Sequence, residues 1–265
     1  MRAFHFVFRA TGSQTPFAGR DPSVVFWHQL CSHLDRYIAL CLMPNHGHLI
    51  VQQEDRTKTE NAIRLSLLAF KRKVPSLWSP IPEPTLIPDM KHLRRQVRYV
   101  HLNPCRSHLT GDPLHWEFST HWDYLRYSVG SISVPSVQSL SFSSHSEFHK
   151  FVSADFTTHV AGTLLPQNTP LPSDFPLVSL DRVAQLSLVL TRSPANSFVR
   201  KNGPRRLFYS LAMAAGYKNL SQIARYLGVT PQSVAELVSK GRVIQYPEDQ
   251  ARRLLCDHRL QVRNL

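Results

Sequence analysis

The spacing of apolar positions changes several times along the chain, and each change marks an element. Phe4, Phe6 and Phe8 alternate with His5, Val7 and Arg9, the two-residue period of a half-buried strand that stops at the Gly12-Ser13 turn signal. After the start signal Asp21-Pro22-Ser23, Val25, Trp27, Leu30 and Leu34 repeat at helical spacing and predict an amphipathic helix over 24–34. The runs 37–43 and 46–52, joined by Pro44-Asn45, predict a hairpin whose second strand begins at His46. Helical period returns over 61–74, with Lys71, Arg72 and Lys73 at the end where a helix dipole favours cations. Prolines at 75, 80, 82, 84 and 88 then exclude regular structure until a helix restarts near Lys91 and ends at Asn103-Pro104. The order strand, helix, hairpin, helix, loop, helix favours an α+β sandwich on a mainly antiparallel sheet.

Farther on the pattern weakens. From about 128 to 180 the chain is rich in Ser and Pro, with one short helical stretch around 147–151, and reads as a linker with partial order. Helical spacing resumes beyond Asp181. Three segments are thus expected: a domain over 1–127, the linker over 128–180, and an all-helical domain over 181–265. Within the last, residues 220–237 fit a helix-turn-helix: Ala224 is small where two helices approach, Gly228 takes the turn, and Ile223, Leu227, Val229, Val234 and Leu237 form the core. Thr230-Pro231 would cap and start the second helix, leaving Gln232, Ser233, Glu236, Ser239 and Lys240 toward a major groove. A three-helix packing module with no DNA partner is the plainer alternative. Arg200, Lys201, Arg205, Arg206, Arg252 and Arg253 flank the segment and favour phosphate binding.

Charge narrows the partner class. The 265 residues carry 31 Lys and Arg against 18 Asp and Glu, a formal charge of +13, with 42% hydrophobic content to build a core. Such a balance suits a polyanion, nucleic acid first, although membrane-surface and heparin-binding proteins share it. Cys31, Cys41, Cys105 and Cys256 form no CxxC pair and read as reduced thiols of a cytoplasmic protein. The first residues contain no sustained apolar core of a signal peptide, and no run of 18 apolar residues occurs, so neither secretion nor a membrane span is expected.

Candidate chemistry lies in two short strings. Residues i and i+2 of a strand share a face, so His46 and His48 can offer two imidazoles to one cation while Gly47 points into the layer beneath. Alone, such a pair is more often a surface or satisfied core feature. On the helix from Lys91, Leu93, Val97 and Val100 form the buried stripe, and His92, Arg95, Gln96, Tyr99 and Asn103 gather beside it. Tyr99 and Asn103 are one turn apart. An Asn103 amide oxygen beside two neutral imidazoles would make a mixed N/O site suited to Mg²⁺ or Mn²⁺ with a phosphate. Spacing by itself leans the other way, making Tyr99 a boundary residue and Asn103 a C-cap before Pro104.

The strings Cys41-Leu42-Met43-Pro44-Asn45-His46-Gly47-His48-Leu49-Ile50 and Arg98-Tyr99-Val100-His101-Leu102-Asn103-Pro104-Cys105-Arg106, followed by Asp112-Pro113 and Ser119-Thr120-His121-Trp122-Asp123-Tyr124, closely resemble REP-associated tyrosine transposases, members of the HUH single-strand nucleases. The resemblance covers roughly residues 1–127. It implies a ferredoxin-like sandwich, a divalent metal (Mg or Mn) on His46, His48 and Asn103, and Tyr99 as nucleophile in cutting and joining single-stranded or hairpin DNA. Arg95, Arg98 and Arg106 flank that site as candidate phosphate contacts. The helical domain resembles the C-terminal domain of replication initiators, which implies a duplex DNA partner and a nucleoid-associated protein. The resemblance leaves monomer or homodimer open. Two departures from the family stand out. Gly47 replaces a bulky apolar residue, which removes a packing anchor beneath the metal and keeps alive a second reading, a domesticated, catalytically silent regulator that binds hairpin DNA. The Pro-rich stretch 80–84 replaces a Gly- and aromatic-rich basic one.

Overall fold

The computed structural model describes residues 2–34, 36–125, 134–154, 178–191, 193 and 203–240, with positions 251, 254, 255, 257 and 259. The chain divides into two compact units, Met1–Pro166 with Arg263–Leu265, and Gln167–Val262. Among the described residues no helix is long and apolar enough to cross a membrane.

In the first unit β1 (Ala3–Arg9), α1 (Arg20–His33), β2 (Ala39–Met43), β3 (His46–Gln52), α2 (Arg56–Lys71) and β4 (Thr85–Ile87) follow in order. The sheet is antiparallel with strand order β2-β3-β1-β4. Both of its faces are covered. Phe4, Phe6, Phe8, Leu40, Leu42, Leu49 and Val51 meet α1 and α2 through Phe26, Trp27, Leu30, Ile63 and Phe70. On the other face Ala3, Ala39, Cys41, Met43 and Ile50 meet α3 (Met90–Arg106) and α5 (His145–Ser153). The strand alternation at β1 therefore marks two packed faces, and His5 is buried instead of solvated. Both chain directions at the hairpin are pinned, since the Pro44 and Asn45 carbonyls accept from the Phe17 and Ala10 amides at 2.9 Å.

Three expectations need correction. The proline-rich stretch contains β4: its prolines stand at 84 and 88, just outside a three-residue edge strand, where a missing amide donor is tolerated. Trp78 of the same stretch packs into an aromatic cluster with Phe8, Phe17, Phe26 and Phe70. Residues 134–154, expected in the linker, belong to the core of the first unit, where Val137, Leu140, Phe142, Phe148 and Val152 are buried with α3. Residues 155–177 lie outside the described set. Finally, α3 does not end at Asn103. It runs on to Arg106 with Pro104 inside, and closes with His108 at φ 55 while the His108 and Leu109 amides donate to the Cys105 and Pro104 carbonyls.

The segment Ser119-Thr120 seals the outer edge of β2. The Leu40 carbonyl accepts from the Thr120 amide at 2.8 Å, the Leu40 amide donates to Thr120 Oγ1 at 2.9 Å, and Tyr124 of α4 (His121–Tyr124) donates its hydroxyl to the Ile38 carbonyl at 2.6 Å.

The second unit contains α6 (Leu180–Leu190), α7 (Gly203–Ala214), α8 (Leu220–Leu227) and α9 (Pro231–Ser239). Gly228 ends α8 at φ 63, and Thr230 caps α9 by accepting from the Ser233 amide, with Pro231 in the first turn. Ile223, Ala224 and Val234 are fully buried; Leu227, Val229 and Leu237, expected in the core, are only half-buried. Val229 and Leu237 line a cleft of about 410 Å³ with Arg205, Tyr209, Thr230, Ser233, Glu236 and Lys240.

Candidate functional site

Register brings the polar residues of two strands to one end of the sheet. On β3, His46 and His48 face α3, and β1 lies antiparallel beside them with Arg9 opposite His46 and Val7 opposite His48. His5, one step along the same face, reaches His48: its Nε2 lies 3.1 Å from His48 Nδ1, and the two rings stack at 5.2 Å. From α3 comes Asn103, buried because the helix continues past it, with its amide nitrogen 3.0 Å from His48 Nε2. His46 Nε2 is also 3.0 Å from His48 Nε2, and His46 Nδ1 lies 2.6 Å from Asn45 Oδ1. One turn before Asn103, the half-buried Tyr99 sets its ring edge-on to His48, with centroids 5.4 Å apart.

The ring protons follow from the two neighbouring amides when Asn45 turns its oxygen to His46 and Asn103 its nitrogen to His48. Asn45 Oδ1 can only accept, so His46 carries its hydrogen on Nδ1 and a lone pair on Nε2. Asn103 donates to His48 Nε2, which therefore also holds a lone pair. Two ring lone pairs thus face each other across 3.0 Å, an arrangement relieved by a shared proton or a cation. A proton is poorly held at neutral pH. Burial brings His5 to about 4, burial and the Arg9 charge bring His46 to about 4, and burial with His46, His5 and Arg9 brings His48 to about 2. Two neutral imidazoles with converging lone pairs are a donor set that a divalent cation takes, and the Asn103 amide, turned so that its oxygen replaces its nitrogen, would be the third protein donor. Among the described residues no three His, Cys, Asp or Glu are grouped so as to hold a metal ion.

Gly47 proves to be a packed position. It stands opposite Phe8 in the β1–β3 register, and a Cβ built on Gly47 would run into Cζ, Cε1 and Cε2 of the Phe8 ring. The aromatic ring of β1 occupies the space that a side chain at 47 would take. The expected missing anchor beneath the His pair is supplied from the neighbouring strand.

The predicted arginines separate. Arg106 places its guanidinium 5.3 Å from the centre of the Tyr99 ring, and Arg95 is exposed on α3. Arg98 instead lies 3.8 Å over the Phe151 ring, tying α5 to α3, and Arg94 lies 4.3 Å over Phe142, just before α5, and 5.1 Å over Phe151. In the second unit Gln232, Ser233, Glu236 and Lys240 are all exposed on or next to α9; Ser233 is held by the Thr230 cap and Glu236 pairs with Lys240 at 3.2 Å. Arg205 is buried, with Nη2 donating to the Leu227 carbonyl at 3.3 Å, while Arg200, Lys201, Arg252 and Arg253 lie outside the described residues. His5, Arg9 and Asn45 were not singled out from sequence. The alternation of β1 put His5 and Arg9 on one face, but only the register shows which residues that face meets.

No protein-family model matches the chain, and no curated protein matches it. Among solved structures, that of a REP-associated tyrosine transposase bound to a REP hairpin is similar at 19% identity, covering 51% of this chain and 86% of that one with a TM-score of 0.39. So low a TM-score leaves the chemistry of the site to its own side chains.

Proposed function

We propose that the first unit is a ferredoxin-like, metal-dependent single-strand DNA nuclease and strand transferase. The observation that carries this reading is the convergence of His46, His48 and Asn103 within 3.0 Å steps beside the Tyr99 ring, from elements separated by some fifty residues. A divalent cation held there, Mg²⁺ or Mn²⁺, would draw charge from a non-bridging oxygen of a bound phosphodiester. Tyr99 supplies the nucleophile: its oxygen bonds to phosphorus, the bond to the 3′-oxygen breaks, the phenol proton is released and the 3′-oxygen takes one up. The resulting 5′-phosphotyrosine conserves the phosphodiester's energy, so a second 3′-hydroxyl can displace Tyr99 and join strands without ATP. Arg9 and Arg106 contribute positive charge where a phosphate would approach. In the second unit, α8 and α9 act as a helix-turn-helix that tethers the protein to duplex DNA through Gln232, Ser233, Glu236 and Lys240.

The silent-regulator reading drew its support from Gly47, and the Phe8 ring fills that place. Incubating the full chain with a single-stranded hairpin oligonucleotide and Mn²⁺ should yield an SDS-resistant protein–DNA adduct that Tyr99→Phe abolishes. His48→Ala should abolish it too. An adduct that survives Tyr99→Phe would sink the assignment of the nucleophile, and no adduct from the unaltered protein would return the regulator.

A further inference from the structure

We propose that His5 is a positioning residue that fixes the tautomer of His48, and through it the direction of the lone pair on His48 Nε2; this rests on the proposed metal role of His46, His48 and Asn103. An imidazole presents a lone pair on one nitrogen only if its hydrogen is held on the other, and metal-binding histidines commonly have that hydrogen taken by an outer partner. For His46 the outer partner is Asn45 Oδ1, at 2.6 Å. For His48 it is His5 Nε2, at 3.1 Å from Nδ1.

Several features of the fold make His5 suitable. It sits in the middle of β1, between Phe4 and Phe6, on a strand hydrogen-bonded on both sides. It is 8% exposed, so water does not compete freely for the His48 hydrogen. A neutral imidazole at this position has a ring lone pair to accept with. The near-parallel stacking of the two rings, with 28° between their planes, restricts rotation of His48 about its side chain. The edge of the Tyr99 ring packs on both imidazoles, at 6.2 Å from His5 and 5.4 Å from His48, so the same contact that orients His48 also borders the nucleophile. The outer partner of one metal-facing histidine comes from the hairpin turn and that of the other from β1. Each proton on the two rings then points away from Asn103.

The test uses the full chain with ¹⁵N-labelled histidine and compares His5→Phe, which keeps an aromatic ring but cannot accept, with His5→Gln, whose side-chain oxygen can. In metal-free wild-type protein, long-range ¹H–¹⁵N correlations should show His48 protonated on Nδ1 and bare on Nε2. His5→Phe should shift His48 toward the Nε2–H form, and His5→Gln should restore the wild-type pattern. Mn²⁺ titrated by calorimetry should bind His5→Phe about 10–100-fold more weakly than wild type, with His5→Gln within about threefold. Should Phe fail to pack in β1, as judged by thermal melting, His5→Leu serves the same comparison. The proposal is overturned if His48 keeps its tautomer in a folded variant that cannot accept, or if such a variant binds Mn²⁺ as tightly as wild type. Wild-type protein that binds no Mn²⁺ would overturn the metal reading, and the NMR comparison would still decide whether His5 holds His48.

Discussion

Phe8 and Gly47 share one volume, and the division of that volume between two strands determines what each position tolerates. Substituting Gly47 by Val adds atoms where the Phe8 ring already stands, and overpacking of this kind costs about 1–3 kcal/mol. The expected result is a lower urea midpoint for Gly47→Val, and a loss in the Gly47→Val/Phe8→Ala double variant smaller than the sum of the two single losses, since the two positions compete for the same space. Additive losses in the double variant would show that the ring and the glycine are not coupled. The pair also shows how much of the site can be read from residue types alone. His46, His48, Tyr99 and Asn103 could be proposed together because the strings 41–50 and 98–106 resemble a known family; i, i+2 on a strand and i, i+4 on a helix made the grouping possible, but spacing alone leaned the other way. His5, Arg9 and the Phe8 ring could not, because they enter across a strand register that nothing local in the chain specifies.

At the level of elements, α3 serves two faces. Its buried side carries Asn103 and the edge of Tyr99 to the His pair, while Arg94 and Arg98 both reach over the Phe151 ring of α5, and Arg94 also over Phe142 just before it. Removing the Arg98 guanidinium takes away both a stacked cation and the apolar stem beneath it, which should cost about 1–2 kcal/mol of stability. Arg95 has no such place. Arg98→Ala should therefore lower the melting temperature, whereas Arg95→Ala should leave it unchanged and weaken binding of a single-stranded oligonucleotide; equal melting of the two variants would remove the structural role of Arg98. Strong periodicity made α1, α2, α3 and the β2–β3 hairpin readable. β4 was hidden because prolines flank an edge strand only three residues long. Residues 134–154 were hidden because few apolar positions, Val137, Leu140, Phe142, Phe148 and Val152, stand among serines and acquire their meaning only against α3.

For the molecule as a whole, the notable electrostatic feature besides its positive charge is how many histidines are buried uncharged. His101 donates or accepts at Thr120 Oγ1 and His121 at His149 Nδ1, both completely buried between α3, α4 and α5, and burial lowers His101 to about 3 and His121 well below its ordinary value. His5, His46 and His48 shift the same way. Above pH 6.5 these rings are neutral whether the chain is folded or not, so they contribute no pH dependence. Below it the unfolded chain binds protons that the folded one refuses. Each such ring then lowers the stability by about 1.4 kcal/mol per pH unit until its own folded pKa is reached. Several rings shifted in this direction would together make stability fall as the pH falls, before carboxylates begin to titrate. Urea midpoints should accordingly be level between pH 8 and 7, fall steeply from pH 6.5 to 5, and fall less steeply in His101→Asn. A profile that stays flat to pH 5 would mean that these histidines take up protons without unfolding the protein, and that water reaches them.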